Sequence, residues 1–114
     1  PYPEGSQAIA LQNTASISTI VQLYEGNYNL KFYVSGRDCC DKSGISNELD
    51  LMINDKIFDT LTPEVGEWTD YKSKPFNIDV PGQYIITVQG KNNEEINGVI
   101  DKTSAVKNIV INRD

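Results

Sequence analysis

Apolar and polar residues alternate with a period of two along most of the chain, and this alternation dominates over any helical period. Residues 28–35 form the clearest run, with Tyr28, Leu30, Phe32 and Val34 on one face and Asn29, Lys31, Tyr33 and Ser35 on the other. β-Branched and aromatic residues fill such runs, and Gly, Pro, Asn and Asp separate them. The pattern predicts an all-β domain in which half of this strand faces water.

The same reading predicts eight or nine strands, separated by turn signals such as Asn54-Asp55 and Pro81-Gly82. The predicted strands are Gln7–Leu11, Ser16–Leu23, Tyr28–Ser35, Leu49–Ile53, Lys56–Leu61, Glu67–Tyr71, Phe76–Val80, Gly82–Gln89 and Ala105–Ile111.

Two segments without periodicity, 36–47 and 91–104, are predicted to be long loops. Each follows a strand that begins with the same spacing, Gly26-x-Tyr28-x-Leu30 in one case and Gly82-x-Tyr84-x-Ile86 in the other. If these two strands run in the same direction in a two-sheet sandwich, both loops leave at one end, where we expect the binding site. Both tyrosines are predicted to point inward, with each phenol hydrogen-bonded to nearby backbone.

The chain has 114 residues, no histidine and a net charge of −6. This length is typical of one domain, and we assign residues 7–114 to it and residues 1–6 to a linker or the start of the first strand. Pro1-Tyr2-Pro3 resembles an extended linker, so we expect the chain to belong to a longer protein. Without histidine, most hydrolase and zinc chemistries are excluded, and the acidic charge opposes binding to nucleic acid or anionic membranes.

The two cysteines, Cys39 and Cys40, are adjacent in the first long loop. A disulfide between neighbours requires a strained ring, and two cysteines without histidine supply at most half a zinc site. We therefore favour free thiols over a redox centre, a metal site or an interchain disulfide, which suits assembly in a reducing cytoplasm. The chain also lacks a glycine-rich phosphate loop, a nucleophile elbow and a zinc signature, so we expect no enzyme activity.

Several segments, in this order, resemble the galactose-binding-like β-sandwich family, the jelly roll shared by many carbohydrate-binding modules. They are residues 4–11, 16–23 and 26–37, the strand Leu49–Ile53, the stretch Gly66-Glu67-Trp68-Thr69-Asp70-Tyr71, and the closing segment Val106–Ile111. The resemblance spans nearly the whole chain. It implies a jelly-roll sandwich of two antiparallel sheets and a non-catalytic module of a larger protein.

Many members of that family hold a structural calcium between the start of the domain and an acidic residue of the closing strand. Here Lys107 occupies that acidic position, and an ammonium beside Ca²⁺ is repulsive, so we expect no cofactor. Three carboxylates remain weak calcium candidates: Glu4, Asp38 and Asp41. For the last two, an ordinary solvated acidic loop is the favoured alternative.

Sugar binding requires an exposed aromatic face and planar polar groups beside it. Tyr33 lies on the outward face of its strand by alternation, and the long loops and strand ends supply polar candidates: Arg37, Asp38, Gln89, Asn92 and Asn93. Trp68 and Tyr71 are candidates for a second aromatic platform, with a core role as the favoured alternative.

The sequence thus predicts a carbohydrate-binding or adhesion module of a secreted, cell-surface or virion protein, without membrane insertion. The alternative is a purely structural assembly or decoration domain of a phage, virus or surface protein that contacts other chains. Binding to a glycan would be weak per site and would depend on many copies.

Overall fold

A computed structural model describes residues 9–12, 14–36, 47–64, 66–91 and 103–114. Within these ranges the regular elements are nine strands: β1 (Ile9–Gln12), β2 (Ser16–Leu23), β3 (Gly26–Gly36), β4 (Leu49–Ile53), β5 (Lys56–Leu61), β6 (Thr69–Lys72), β7 (Phe76–Ile78), β8 (Gly82–Gly90) and β9 (Thr103–Arg113). The described ranges contain no helix long and apolar enough for a membrane span. The all-β prediction is confirmed.

The strands form two antiparallel sheets. The front sheet has the order β1-β9-β3-β6, and β7 also pairs with β3, beside the start of that strand. The back sheet has the order β2-β8-β4-β5. Because the chain crosses repeatedly from one sheet to the other, each sheet combines early and late strands, and the result is the predicted jelly-roll sandwich.

The core lies between the sheets and consists of the residues that alternation assigns to the inward faces. Leu30, Phe32 and Val34 of β3 are buried and belong to the same core cluster as Leu49 and Leu51 of β4. Burying side chains of this size contributes roughly 1.5–3 kcal/mol each relative to exposure. The predicted inward faces of β3 and β4 are therefore confirmed.

Tyr28 and Tyr84, the two tyrosines of the repeated spacing, make the same hydrogen bond to the backbone. The Tyr28 hydroxyl donates to the carbonyl of Tyr24 at 2.8 Å, and the Tyr84 hydroxyl donates to the carbonyl of Val80 at 2.5 Å. Each acceptor lies four residues before its tyrosine, across the turn that starts the strand. Both phenols thus brace a turn while their rings pack on the core, as predicted.

Two strands are shorter than predicted. β6 begins at Thr69 rather than Glu67, and β7 ends at Ile78 rather than Val80. The Val80 carbonyl accepts the bond from Tyr84, so this residue belongs to the turn before β8 and not to a strand. The predicted first strand began at Gln7, which lies outside the described residues.

Candidate functional site

The ends of the two long loops meet at one end of the sandwich. These ends are Gly36 and Asn47 for the first loop, and Lys91 and Ser104 for the second. Gly36, at the end of β3, pairs with Ser104 of β9. The Ser104 hydroxyl bonds the backbone of Asn47, with 2.9 Å to its amide and 2.7 Å to its carbonyl. The Lys91 amide in turn donates to the carbonyl of Glu48 at 2.9 Å. Both loops therefore leave from the same end, which confirms the sequence prediction.

The connection between β5 and β6 reaches the same end. The Gly36 amide donates to the carbonyl of Glu64 at 2.8 Å, and the Gly66 amide donates back to the carbonyl of Gly36 at 2.9 Å. These two bonds fix the connection to the last residue of β3. They hold Trp68, which lies between Gly66 and β6, near the outer surface of the front sheet.

Trp68 and Tyr33 come together around a buried lysine. Tyr33 is paired with Lys107 of β9, so both side chains lie on the outer face of the front sheet. The Lys107 ammonium lies 4.3 Å from the centre of the Trp68 ring and 5.9 Å from the centre of the Tyr33 ring. Lys107 is only 2% exposed. These distances are typical of cation–π contacts, which orient both rings.

Burial also lowers the pKa of Lys107 from its usual 10.5, because a charged ammonium loses hydration in this position. The two aromatic rings replace part of that hydration. The sequence had singled out Lys107 only as a departure from an acidic residue. A lysine is expected at the surface, so its role beneath two rings carried no sequence signal.

Next to this cluster, a bulge in β9 shapes the outer face of the front sheet. The pairing of β9 with β3 shifts by one residue between Lys31 and Tyr33. Asn108 lies at this shift and adopts a left-handed conformation with φ 57°, which asparagine tolerates better than most residues. The bulge adjoins a shallow depression of about 630 Å³, whose lining includes Lys31, Tyr33, Asp70, Asn108, Val110 and Asn112.

This depression combines one aromatic ring with charged and amide side chains. Tyr33 lies beside Asp70 of β6, its partner in the pairing of β3 with β6. Lys31 and Asn112 contribute an amine and an amide. An aromatic face next to such donors and acceptors matches a pyranose ring, which has an apolar side and a rim of hydroxyl groups.

The sequence left two roles open for Tyr71, an exposed aromatic platform or a core position. The structure places its ring on the inner side of the front sheet. Tyr71 is paired with Phe32, so it points inward, away from Tyr33, and its ring lies 5.5 Å from that of Phe32. Its hydroxyl donates to a carboxylate oxygen of Asp59 on β5 at 2.6 Å. This bond links the two sheets at one side of the sandwich, and Tyr71 is not part of the depression.

Asp59 is a buried carboxylate held by several donors. Besides Tyr71, the amides of Lys74 and Thr60 donate to it at 2.9 and 2.8 Å. Burial alone raises the pKa of Asp59, but these hydrogen bonds outweigh burial and lower the pKa overall. Burial and the adjacent carboxylate raise the pKa of Tyr71. The pair is therefore a neutral phenol bonded to an ionised carboxylate.

The structure does not bring Gln89 together with Tyr33. Gln89 is paired with Ser16 of β2 and with Asp50 of β4, on the outer face of the back sheet. Its amide nitrogen lies 3.5 Å from the carbonyl of Thr14. Alternation identifies an outward residue but not the sheet that carries it, so the two candidates lie on opposite sides of the sandwich.

The remaining sugar candidates, Arg37, Asp38, Asn92 and Asn93, lie outside the described residues. The calcium candidates Glu4, Asp38 and Asp41, and the cysteines Cys39 and Cys40, also lie outside them.

The described residues near Lys107 do not fit the calcium that the family resemblance implies. Ca²⁺ prefers six to eight oxygen ligands, whereas this position holds an ammonium between two aromatic rings. Within the described ranges, no group of three or more His, Cys, Asp or Glu side chains could hold a metal ion.

No protein-family model matches the chain, and no curated protein sequence matches it. Among solved structures, the chain is similar to TmCBM61, a carbohydrate-binding module whose structure was determined in complex with β-1,4-galactotriose. The TM-score is 0.57 with 18% sequence identity, and the match covers 94% of this chain and 69% of that chain. The chain has the fold of a carbohydrate-binding module. At this identity the likeness concerns the fold alone.

Proposed function

We propose that this domain is a non-catalytic module that binds a carbohydrate in the depression on the outer face of the front sheet. The observation that carries the proposal is the side-by-side placement of Tyr33, Asp70 and Lys31 in a depression, on a fold shared with a carbohydrate-binding module. The solved neighbour binds a galactose oligosaccharide. An oligosaccharide of β-1,4-linked galactose is therefore the first ligand to test.

Each group has a role that follows from its chemistry. The Tyr33 ring stacks on the apolar face of one sugar, and the contact with Lys107 keeps this ring in place. The Asp70 carboxylate accepts hydrogen bonds from sugar hydroxyl groups, and Lys31 and Asn112 donate to sugar oxygens. A shallow depression with one ring gives weak affinity per site, so adhesion depends on several copies.

The test is a glycan array probed with the domain displayed on a multivalent carrier, with and without calcium, beside the Tyr33→Ala variant. A matched control is Tyr24→Ala, because Tyr24 is a tyrosine that is 57% exposed and lies at the opposite end of β3. We expect glycan binding by the unmodified domain and by Tyr24→Ala, and at least about a tenfold loss in Tyr33→Ala.

Absence of binding to every glycan would contradict the proposal. Equal binding by Tyr33→Ala and the unmodified domain would show that the depression is not the site.

A structural assembly role is the second candidate, and the outer face of the back sheet favours it. Ile20, Ile57 and Ile85 are 65%, 56% and 44% exposed there. Exposed aliphatic side chains on one sheet are typical of a surface that contacts other protein. In either role, we propose that the domain belongs to a longer secreted, cell-surface or virion protein.

A further inference from the structure

The edge strands of the two sheets differ in how well they are protected against pairing with another chain. On the front sheet the described edge strands are short, with four residues in β1, four in β6 and three in β7. On the back sheet β5 has six residues, a bulge in its pairing with β4, and the charged residues Lys56 and Asp59. Short length, bulges and charges all discourage pairing at an edge.

β2 has none of these protections. It pairs with β8 in unbroken register over all eight of its residues. Its sequence, Ser-Ile-Ser-Thr-Ile-Val-Gln-Leu, contains no charge, no proline and no glycine. An edge strand that is long, regular and uncharged presents unpaired amide and carbonyl groups to any strand of matching pattern.

The side chains of β2 also favour pairing of this edge with another strand. Ile20 points outward and is 65% exposed. On the other face, Ile17 and Val21 line an apolar cleft of about 470 Å³ between the sheets, together with Ile109 and Ile111 of β9. The edge therefore has apolar groups on both faces, which a further strand would cover.

We propose that β2 pairs antiparallel with β2 of a second copy of this chain, with Ile20 on the two-fold axis. This alignment places Ile20 opposite the partner's Ile20 on the outer face. On the inner face it places Ile17 opposite the partner's Leu23 and Thr19 opposite the partner's Val21. Uncharged residues thus meet on both faces, with aliphatic pairs at Ile20–Ile20 and Ile17–Leu23, and the two back sheets join into one sheet of eight strands.

The second copy fits this edge because the strand is complementary to itself. Each copy has a net charge of −6, but no charged side chain lies on either β2, so the repulsion comes from more distant groups. Such repulsion is screened over about 8 Å at physiological salt.

The dimer has a consequence for the proposed sugar site. When identical strands pair antiparallel, the two-fold axis is perpendicular to the sheet, so equivalent faces lie on the same side. Both front-sheet depressions would then face one direction, and a dimer could bind two glycans on one surface. Only this consequence depends on the proposed function, since the dimer is tested without sugar.

The experiment is sedimentation equilibrium of the domain at physiological salt over a wide concentration range. We compare the unmodified domain with Ile20→Lys, Ile20→Glu and the control Ile57→Lys, which makes the same change at an exposed isoleucine of the other back-sheet edge. We expect the unmodified domain and Ile57→Lys to dimerise. Each Ile20 variant alone should weaken the dimer at least about tenfold, because like charges meet at the axis.

An equimolar mixture of Ile20→Lys and Ile20→Glu should dimerise again, because opposite charges then face each other. Circular dichroism shows whether each variant is folded, and Ile20 is exposed enough to tolerate substitution. A domain that is monomeric at every concentration overturns the proposal. So does a dimer that is insensitive to both Ile20 variants, or a mixture that is no stronger than either variant alone.

Discussion

Tyr33 and Tyr71 lie on neighbouring strands of the front sheet, yet their side chains have opposite environments. Tyr33 is paired with Asp70 and points outward, into the depression. Tyr71, one residue further along β6, is paired with Phe32 and points inward, onto Asp59. The sequence suggested both as sugar-binding residues, and one step of strand register separates them.

The comparison shows how one step along a strand places one phenol in the interior of a small sandwich and its neighbour on the outer face. An inward phenol with a buried carboxylate partner stabilises the contact between the sheets. An outward phenol beside a lysine lies in the depression where we propose that a sugar binds. Substitution of Tyr71 should therefore lower the free energy of unfolding, whereas substitution of Tyr33 should reduce glycan binding.

The largest effect is expected for Asp59→Ala on the inward side. This change leaves three donors without their acceptor: the Tyr71 hydroxyl and the amides of Lys74 and Thr60. Since buried donors that lose a partner cost about 1–3 kcal/mol each, we expect a loss of about 3 kcal/mol in the free energy of unfolding. Urea unfolding followed by circular dichroism measures it.

A matched control for that variant is Asp55→Ala, in the turn between β4 and β5, where the side chain is exposed. Its free energy of unfolding should stay within about 0.5 kcal/mol of the unmodified domain. Equal effects of the two substitutions would show that the contact between Asp59 and Tyr71 does not stabilise the sandwich.

A smaller effect is expected for Tyr71→Phe, which keeps the ring and removes only the hydroxyl. A hydrogen bond to a charged group contributes about 1.5–3 kcal/mol, so the unfolding free energy should fall by about 2 kcal/mol. Glycan binding should be unchanged, because this hydroxyl lies on the inner side of the sheet. Tyr33→Phe, the same change at the outward tyrosine, should alter stability by less than about 0.5 kcal/mol.

The comparison between the two tyrosines fails if Tyr71→Phe reduces glycan binding as much as Tyr33→Ala does. Isothermal titration with the best glycan from the array, on samples shown to be folded, distinguishes these outcomes.

Much of the fold could be predicted from alternation, because a two-residue period fixes which side of a strand faces the core. β2, β4 and β5 have the predicted bounds, and the inward faces of β3 and β4 are as expected. The common end of the two long loops was expected only if the two strands with the same starting spacing run in the same direction, and the contacts among Gly36, Ser104 and Asn47 meet that condition.

The bulges could not be predicted, because each depends on the partner strand rather than on the local pattern. In β5, a register shift lets both Phe58 and Asp59 turn toward the interior, although they are neighbours in sequence. In β9, the shift at Asn108 shapes the depression. The residues paired with Tyr33 and Tyr71 likewise depend on which strands are neighbours in the sheet, and alternation does not determine this.

The smallest effect is expected for the contact of the Lys107 ammonium with Trp68 and Tyr33, and a pH titration can detect it. Trp68 is the single tryptophan of the chain, and the Lys107 ammonium lies 4.3 Å from its ring centre. Burial lowers the pKa of Lys107, so it should lose its proton below pH 10.5 and change the tryptophan fluorescence. Tyr33 also faces this lysine. The transition should persist in Tyr33→Phe and disappear in Lys107→Met, because only the second variant removes the ammonium. If the transition instead persisted in Lys107→Met, a group other than the ammonium would be titrating beside Trp68. The ammonium would then not be the group that holds the outward rings.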